Sequence, residues 1–372
     1  MSKSSWDAPP LVSAPGLDDK DGVICLQALP RGPTSLRTHS DPGEAMPLDL
    51  LRLMRPHDWV KNIFILPALV FSLPTLPTAD RGSMAMQWLG STGLVIVAFS
   101  LLASGFYAIN DALDADRDRL HPRKRSRPIA SGRLSTSTGF RFGGVLVVLG
   151  IAGGFAVDTA VGAVLVGYLV LQVLYNAGLK RVAIVDAVVL ATGFAMRATV
   201  GAFAIDRTVS TWLLGCVFFL TLYLAFIKRM CDLAAARSDG SGWSSPAGYD
   251  DRFELNWLLG MSGVTVVLCW VLYTLSPHAD SLFGIRASGL ALLTPFVVIV
   301  VHRFYRRANL GERDSPIAAV REDPVISIAL TLFVAGLFGF LYAPGADDLL
   351  GRLIYPESGI APTAPAPDRA GG

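Results

Sequence analysis

The sequence predicts an all-α membrane protein, a bundle of about nine transmembrane helices around a central chamber that faces the cytoplasm. Hydrophobic residues make up 52% of the 372 positions and charged residues only 17%, whereas a soluble domain carries about 25% charged residues. Apolar stretches of about 18 or more residues recur, and each is long enough to cross roughly 30 Å of hydrocarbon. The net charge of +2 gives no indication of a nucleic-acid partner, so the lipid bilayer is the expected surrounding.

The predicted helix count comes from apolar segments taken in chain order. The first segment is short and contains Pro67 and Pro74, so we expect it to be kinked or partly interfacial. Residues 1–46 and 346–372 are Pro-rich and lack apolar periodicity, which predicts disordered tails on either side of a membrane domain at 47–345. The predicted spans are 60–76, 88–112, 139–157, 160–178, 184–204, 211–229, 255–275, 286–304 and 326–344.

Lys and Arg are concentrated in alternate loops, and this asymmetry predicts the orientation in the membrane. The opposite loops contain only Arg81, Arg207 and Arg286. We therefore expect a multi-pass protein of the inner (plasma) membrane, with a cytoplasmic N-terminus and a C-terminus outside. The basic residues of the predicted cytoplasmic loops are Arg117, Arg119, Arg123, Lys124, Arg125, Arg127, Arg133, Lys180, Arg181, Lys228, Arg229, Arg237, Arg252, Arg303, Arg306, Arg307, Arg313 and Arg321.

An unusual set of acidic residues closes the second span, in "NDALDADRD". Asp111, Asp114 and Asp118 are spaced i, i+3 and i+7, and Asn110 shares nearly the same helix face. Like charges on one face repel, so something positive is expected to lie against them. Oxygen ligands suit Mg²⁺, which takes one or two carboxylates and completes its shell with water and phosphate. The spacing predicts a carboxylate face that holds Mg²⁺ on a diphosphate, with Asp116 pointing elsewhere.

A basic run, "HPRKRSRP", follows the acidic face directly. Arg and Lys can bind the phosphate oxygens that a metal ion leaves uncovered. Taken alone, such a run is more typical of a solvated loop on the cytoplasmic side. Its position beside the acidic face favours a phosphate-binding function.

These motifs resemble those of the UbiA-type intramembrane prenyltransferase superfamily. "NDALDADRD" matches the pattern NDxxDxxxD, "RPIASG" resembles the RPL/I-x-SG element that follows it, and "YNAGLKR" is similar to YSxxLKR. The resemblance covers roughly residues 50–344. It implies nine helices around a central chamber with the polar motifs on the cytoplasmic side.

Three stretches resemble one branch of that superfamily, the decaprenyl-phosphate phosphoribosyltransferases. They are "RPHDWVKN", "DRDRLHPRKRSRPIA" and "YLAFIKRMCDL". In the third, Met230 and Asp232 stand where the branch more often has Arg and Glu. The resemblance implies transfer of a phosphoribosyl group from 5-phosphoribosyl diphosphate to a polyprenyl phosphate, with release of diphosphate, in the synthesis of lipid-linked pentose donors for cell-envelope glycans.

The resemblance also implies residue roles. The acidic motif would hold Mg²⁺, the basic run would bind phosphate oxygens, and residues at cytoplasmic helix ends would bind further phosphates. The implied metal ligands are Asn110, Asp111, Asp114 and Asp118, of which the three aspartates are also catalytic. The implied substrate-binding residues are Lys61, Asn62, Lys124, Arg125, Arg127, Tyr175, Lys180, Arg181, Lys228 and Arg229.

Two ionisable residues fall within the fifth span, Asp186 and Arg197. They are separated by three helical turns, about 16 Å, so they cannot pair directly. Asp186 lies near the cytoplasmic end and is the better candidate for the chamber, whereas Arg197 is expected to be structural. Tyr249, in "GYDDRF", is a candidate to cap the chamber.

Two alternatives use the same residues. A UbiA-type prenyltransferase would move a prenyl group from its diphosphate to an aromatic acceptor. The acidic motif does not distinguish this activity from phosphoribosyl transfer. A transporter or lipid-binding protein would need polar residues at the midplane, which are scarce here. The polyprenyl chain length and the oligomeric state, including a homo-oligomer, are left open.

Overall fold

The computed structural model describes residues 42–77, 81–120, 124–239, 247–249, 251–310 and 316–354. Helices are the only regular secondary structure in these ranges. The α-helices are α1 (Pro42–Met54), α2 (Leu66–Ser72), α3 (Arg81–Leu113), α4 (Ala115–Leu120), α5 (Thr136–Val157), α6 (Thr159–Ala177), α7 (Val185–Phe203), α8 (Thr211–Asp239), α9 (Arg252–Thr274), α10 (Pro277–Phe283), α11 (Ile285–Ala291), α12 (Thr294–Leu310), α13 (Pro316–Glu322), α14 (Pro324–Tyr342) and α15 (Ala346–Ile354). Short 3-10 helices occupy Pro56–Ile65, Leu73–Thr75, Lys124–Ser126 and Leu179–Arg181.

Eight helices among the described residues are long and apolar enough to cross a membrane. They coincide with the second to ninth predicted spans, so the all-α multi-pass fold class is confirmed. The eight are Arg81–Leu113, Thr136–Val157, Thr159–Ala177, Val185–Phe203, Thr211–Ala234, Arg252–Thr274, Ile285–Leu310 and Pro324–Tyr342.

The first predicted span is not a continuous α-helix. It consists of the 3-10 helix Pro56–Ile65, α2 and the 3-10 turn Leu73–Thr75, and we call the whole of 56–75 the first segment. Pro67 and Pro74 each lie in the opening turn of a new piece, where a missing N–H is tolerated. A 3-10 helix rises about 2.0 Å per residue, against about 1.5 Å in an α-helix, so the segment still reaches roughly 35 Å.

The first segment runs antiparallel to α3. Arg55, just before it, contacts Asp111 near the end of α3, whereas Trp59 contacts Ser104 and Asn62 contacts Ser100. Later residues of the first segment thus contact earlier residues of α3. The first segment therefore packs alongside α3, in addition to the eight long helices.

Consecutive long helices are neighbours in space, from α3 through α5, α6, α7, α8, α9 and α12 to α14. Successive helices that pack side by side in this way alternate in direction, as in an up-and-down helix bundle. Tyr342 of α14 donates a hydrogen bond to the carbonyl of Val70 at 2.6 Å, which brings the last crossing back to the first segment. We call one end of the bundle the charged end. Helices α3, α6 and α8 end there, and α5, α7 and α9 begin there.

A tight contact joins α3 to α5 at Gly105 and Gly143. A Cβ atom at Gly143 would lie 2.7 Å from the carbonyl oxygen of Gly105, closer than real Cβ contacts. The adjacent Gly144 has nothing within 4 Å of its Cβ position. Glycine at Gly143 therefore lets the two backbones touch and fixes the position of the end of α3.

The predicted tails need one correction. Helix α15 falls within 346–372, which was expected to be disordered, and α1 begins at Pro42 rather than after 46. Leu350 of α15 is fully buried, and Asp347 accepts hydrogen bonds from Arg286 at 2.6 and 2.8 Å. An apolar face and one ion pair suffice to dock this short helix, which composition alone does not reveal. Residues 1–41 and 355–372 lie outside the described residues.

Candidate active site

The acidic face predicted at the end of α3 is present. Helix α3 ends at Leu113 and α4 continues the same direction, because the Asp114 N–H donates to the Asn110 carbonyl at 2.9 Å and Asp118 N–H to the Asp114 carbonyl at 2.8 Å. Asn110, Asp114 and Asp118 therefore remain on one face. The Asp116 side chain is 94% exposed and pairs with Arg119 at 2.6 Å, so it points elsewhere as predicted.

Two of the three carboxylates on this face are already paired with arginine. The side chains of Asp111 and Asp118 are only 4% and 2% exposed. One atom, Nη1 of Arg127, lies 3.0 Å from Asp111 Oδ1 and 2.6 Å from Asp118 Oδ2. Arg55 adds a second contact to Asp111 at 2.6 Å. The positive charge expected against the acidic face is thus supplied by the chain itself.

Asp114 differs from the other two aspartates. Its side chain is 30% exposed, and among the described residues its ion-pair partner is Arg117, 3.7 Å away. Within the described residues, no three His, Cys, Asp or Glu side chains form a group arranged to hold a metal ion. The predicted set of metal ligands stays a prediction. Asp111 and Asp118 nevertheless both reach one point, now occupied by a guanidinium nitrogen, and an all-oxygen donor set of this kind suits a hard cation.

The basic loop is anchored beneath the acidic face. Ile129 is buried with Ala112 and Ala115, and the Ser131 N–H donates to the Arg127 carbonyl at 2.9 Å. This turn fixes the position from which Arg127 reaches the carboxylates. Lys124 Nζ is 3.9 Å from Asp118 Oδ1, and Arg125 is exposed beside it. His121, Pro122 and Arg123 of the basic run lie outside the described residues.

A second charged cluster lies at the charged end, on α7 and α8. Asp186 is fully buried. Its Oδ2 accepts a hydrogen bond from Arg229 Nε at 3.0 Å and forms an ion pair with Nη2 at 2.8 Å. Its Oδ1 accepts one from the Tyr249 hydroxyl at 2.6 Å. Arg229 also lies 3.5 Å from Asp232, the residue at which the sequence departs from the branch pattern.

Tyr249 holds this cluster from the connection between α8 and α9. Burial and the hydrogen bond to Asp186 raise the pKa of the Tyr249 phenol above its usual value, so it remains a donor. Its oxygen also accepts a hydrogen bond from the Ile184 N–H at 2.6 Å. The capping position predicted for Tyr249 is therefore a structural contact with Asp186.

Backbone strain marks both clusters. Ile184 has φ 67° and ψ −48°, and Val185 N–H donates to the Ala183 carbonyl at 2.7 Å, which makes Ile184 the centre of a γ-turn. Arg55 also has a positive φ, 52°. Such conformations cost of order 1–3 kcal/mol in a residue with a side chain and persist only where the surroundings impose them. A strained residue therefore lies beside each cluster: Ile184 donates to Tyr249, a partner of Asp186, and Arg55 is itself an ion-pair partner of Asp111.

Asn62 does not have the position predicted for a substrate ligand. It is 3% exposed, its Oδ1 accepts a hydrogen bond from Arg197 at 3.1 Å, and its Nδ2 donates to Ser100 at 2.8 Å. Each amide atom already has a partner inside the protein. The preceding Lys61 is more accessible: its side chain is 41% exposed and its Nζ lies 2.6 Å from Asp58.

The remaining predicted phosphate ligands are found at the charged end. Tyr175 lies beside Arg229 and Asp186, and Lys228 is exposed on α8. Lys180 donates to Asn176 at 3.1 Å, and Arg181 is exposed in the following turn. The arginine that sequence reasoning missed is Arg55. The sequence does mark this residue, because Arg55 is the first residue of the RPHDWVKN motif and directly precedes the first segment, which packs against α3.

Comparison with known proteins identifies the family. The sequence profile of the UbiA prenyltransferase family matches residues 68–320. The chain is 27% identical over 298 residues to a decaprenyl-phosphate phosphoribosyltransferase from Mycolicibacterium smegmatis, covering 79% of this chain and 92% of that protein. It is 34% identical over 149 residues to the protein of the same name from Mycobacterium tuberculosis, covering 40% of this chain and 48% of that protein.

A solved structure has the same fold. A UbiA homologue from Archaeoglobus fulgidus, bound to GPP and Mg²⁺, superposes with a TM-score of 0.57 at 18% sequence identity and covers 79% of this chain and 100% of that one. The predicted resemblance to the superfamily, and within it to the decaprenyl-phosphate phosphoribosyltransferases, is confirmed. The chain belongs to the UbiA prenyltransferase family.

Proposed function

We propose that this protein transfers the 5-phosphoribosyl group of 5-phosphoribosyl diphosphate to a polyprenyl phosphate of the decaprenyl type, in a Mg²⁺-dependent reaction that releases diphosphate. The names of the two mycobacterial relatives and the branch motifs support the substrates. The observation that carries the proposal is the convergence of Asp111 and Asp118 on one nitrogen of Arg127, directly above the basic loop.

The donor set fits a divalent ion if Arg127 changes partner. Asn110, Asp111, Asp114 and Asp118 would hold Mg²⁺, which offsets the charge of the diphosphate when bound. Arg127, once its carboxylates are neutralised in this way, is free to donate two parallel hydrogen bonds to phosphate oxygens. In this proposal Arg127 exchanges its carboxylate partners for phosphate oxygens.

Bond changes at the sugar follow from the charges. An oxygen of the acceptor phosphate attacks the ribosyl C1, the C1–O bond to diphosphate breaks, and the leaving group takes the electron pair. A phosphate monoester is already anionic, so the acceptor needs positioning rather than a general base. Charge grows on the departing diphosphate in the transition state, and Arg127, Lys124 and Arg125 stabilise it there most strongly. Direct in-line attack inverts the anomeric centre.

The second cluster supports the remaining phosphates. Arg229 is held by Asp186 and Asp232, so its guanidinium is fixed in orientation. Tyr175 and the adjacent Lys228 lie beside it. Together with Lys180 they are candidates for the donor 5-phosphate or the acceptor phosphate. Lys and Arg at helix ends can also simply extend to the water interface. The proposal places them on the cytoplasmic side of the plasma membrane, as the loop charges predict.

The decisive experiment supplies reconstituted protein with Mg²⁺, polyprenyl phosphate and labelled 5-phosphoribosyl diphosphate. We expect lipid-soluble label to appear and to disappear when the metal is chelated. Asp114→Asn and Asp118→Asn are each expected to lower the rate by about 100-fold or more, since they weaken charge stabilisation in the transition state. Asp116→Asn is the matched control: it lies on the same short helix, points into solvent, and should retain full activity.

One outcome would favour the other family activity. If no label enters lipid, while a prenyl diphosphate is consumed together with an aromatic acid, the protein is a prenyltransferase in the strict sense. Full turnover by the Asp118→Asn variant in Mg²⁺ would remove the site assignment under either activity.

A further inference from the structure

Arg197 is a buried cation deep in a membrane span. It is 4% exposed and lies in α7, three turns from Asp186, which is about 16 Å along the helix. An ionised side chain at this depth is costly and is usually paired with an acid. No carboxylate among the described residues lies within ion-pair distance of Arg197. Its retention therefore needs an explanation other than a salt bridge.

Neutral groups hold the guanidinium instead. Nε donates to Asn62 Oδ1 at 3.1 Å, Nη1 to the Gly193 carbonyl at 2.8 Å and Nη2 to the Tyr168 hydroxyl at 3.2 Å. The Phe99 ring centre is 4.4 Å away, so an aromatic face adds a cation–π contact. This set of contacts fixes the direction of Arg197 and leaves its charge uncompensated.

The contact with Asn62 reaches the first segment. Pro56–Ile65 is a 3-10 helix of ten residues, whereas such helices rarely exceed about four residues without outside support. Asn62 is held from both sides, by Arg197 of α7 and by Ser100 of α3. A Cβ atom at Gly201 would overlap the Ile65 carbonyl oxygen, so the same helix α7 also touches the backbone at the end of this 3-10 helix.

Lys61 immediately precedes Asn62, but its side chain points in a different direction. Its ammonium lies 2.6 Å from Asp58 and its side chain is 41% exposed, so it can meet a ligand while Asn62 cannot. In a 3-10 helix, the backbone position of one residue determines the direction in which the next side chain leaves the helix. We propose that Arg197 is a positioning residue that, by holding Asn62, sets the place of the Lys61 ammonium for binding a substrate phosphate. This inference rests on the proposed function, in which Lys61 contacts a phosphate.

The test separates positioning from general stability. Arg197→Lys keeps the charge but loses the planar donor fork that reaches Asn62. We expect the KM for 5-phosphoribosyl diphosphate, or for the acceptor if Lys61 binds that phosphate, to rise about tenfold, with a smaller change in kcat. Thr199→Ala is the control: it lies two residues along α7, its hydroxyl donates to the Ala195 carbonyl at 3.1 Å, and it should leave both constants unchanged.

A double-mutant cycle with Lys61→Ala decides the mechanism. If Arg197 acts through Lys61, the Arg197→Lys change has little further effect on KM in the Lys61→Ala background. Additive effects, or a loss of thermal stability with KM unchanged, would overturn the inference. Should Arg197→Lys fail to fold, Ser100→Ala releases the other side of Asn62 with all charges kept, and the same cycle applies.

Failure of the inference and of the proposed function give different results. If the wild type does not turn over 5-phosphoribosyl diphosphate, the function fails, and the cycle is then measured on the dissociation constants for inorganic phosphate and inorganic diphosphate. Loss of affinity in both Lys61→Ala and Arg197→Lys, without additivity, supports the positioning role. If the wild type binds neither anion, or the two effects add, the positioning role is wrong.

Discussion

At the scale of single residues, the main finding is that one arginine serves two aspartates. Arg127 bridges Asp111 and Asp118 with a single nitrogen, although both side chains are almost entirely buried. Removing the shared partner would leave two buried carboxylates whose remaining ion-pair partners, among the residues that the structure describes, are Arg55 and the more distant Lys124. An uncompensated buried charge is strongly destabilising.

Arg127→Ala should therefore lower stability as well as activity. We expect a loss of about 2 kcal/mol, because the carboxylates lose their closest counter-charge. Added Mg²⁺ should raise the Tm of the variant more than that of the wild type, since the ion can take over that role. Thermal unfolding in detergent with and without Mg²⁺ measures both effects. Arg119→Ala removes an exposed ion pair and should change the Tm very little; an equally small effect in Arg127→Ala would contradict the interpretation.

The spacing of the aspartates could be read from the sequence, but their partners could not. Positions i, i+4 and i+8 share a helix face by local geometry, so Asn110, Asp114 and Asp118 were predictable together. Arg55 lies 56 residues from Asp111 in sequence, and only the antiparallel packing of the first segment brings them together. Asn62 was misjudged for the same reason: its burial depends on α3 and α7.

At the scale of elements, helix contact through glycine positions the site. Gly143 and Gly144 are adjacent in α5, yet only the first faces α3. The contact lies close to Ile109, which directly precedes the acidic motif. Gly143 and Gly144 therefore offer a matched test, because the same substitution at each differs mainly in whether the new side chain points towards α3.

Gly143→Ala should destabilise the protein by about 1–3 kcal/mol, because its Cβ would overlap the Gly105 carbonyl oxygen and force the helices apart. Gly144→Ala should be neutral or slightly stabilising, since alanine favours a helix and the site is open. The midpoint of thermal unfolding compares them directly. Equal effects of the two substitutions would show that the α3–α5 contact is looser than described.

Element boundaries were predictable where the length of an apolar stretch determines them. They were less predictable where polar contacts between distant residues determine them. The eight long helices follow from hydropathy, because in a bilayer each span has to satisfy its own backbone hydrogen bonds. The 3-10 form of Pro56–Ile65 depends on contacts to Arg197 and Ser100, of which the sequence gives only the prolines as a sign. Helix α15 depends on one buried leucine and one ion pair in the same way.

At the scale of the whole molecule, the alternation of helix directions places both charged clusters at one end of the bundle. Orientation in the membrane then decides which compartment supplies the substrates. Ser137 and Thr159 are exposed on either side of α5 and so report on opposite ends.

We expect Ser137→Cys to face the cytoplasm and Thr159→Cys to face outward, as the distribution of Lys and Arg predicts. In a chain whose four native cysteines are replaced, an impermeant maleimide added to intact cells should label Thr159→Cys alone. Inside-out vesicles should give the reverse. Labelling of Ser137→Cys in intact cells would place the charged end outside and would rule out a cytoplasmic donor.

The irregular first segment has a consequence for biogenesis. Its 3-10 turns hydrogen-bond less well than an α-helix, and its opening turns carry the ion pair of Asp58 and Lys61. Presented singly to a translocon, such a stretch is a poor candidate for partitioning into lipid. Trp59 and Asn62 find their hydrogen-bond partners on α3, at Ser104 and Ser100. We therefore expect the first crossing to be integrated as a hairpin with α3, after that helix has been synthesised.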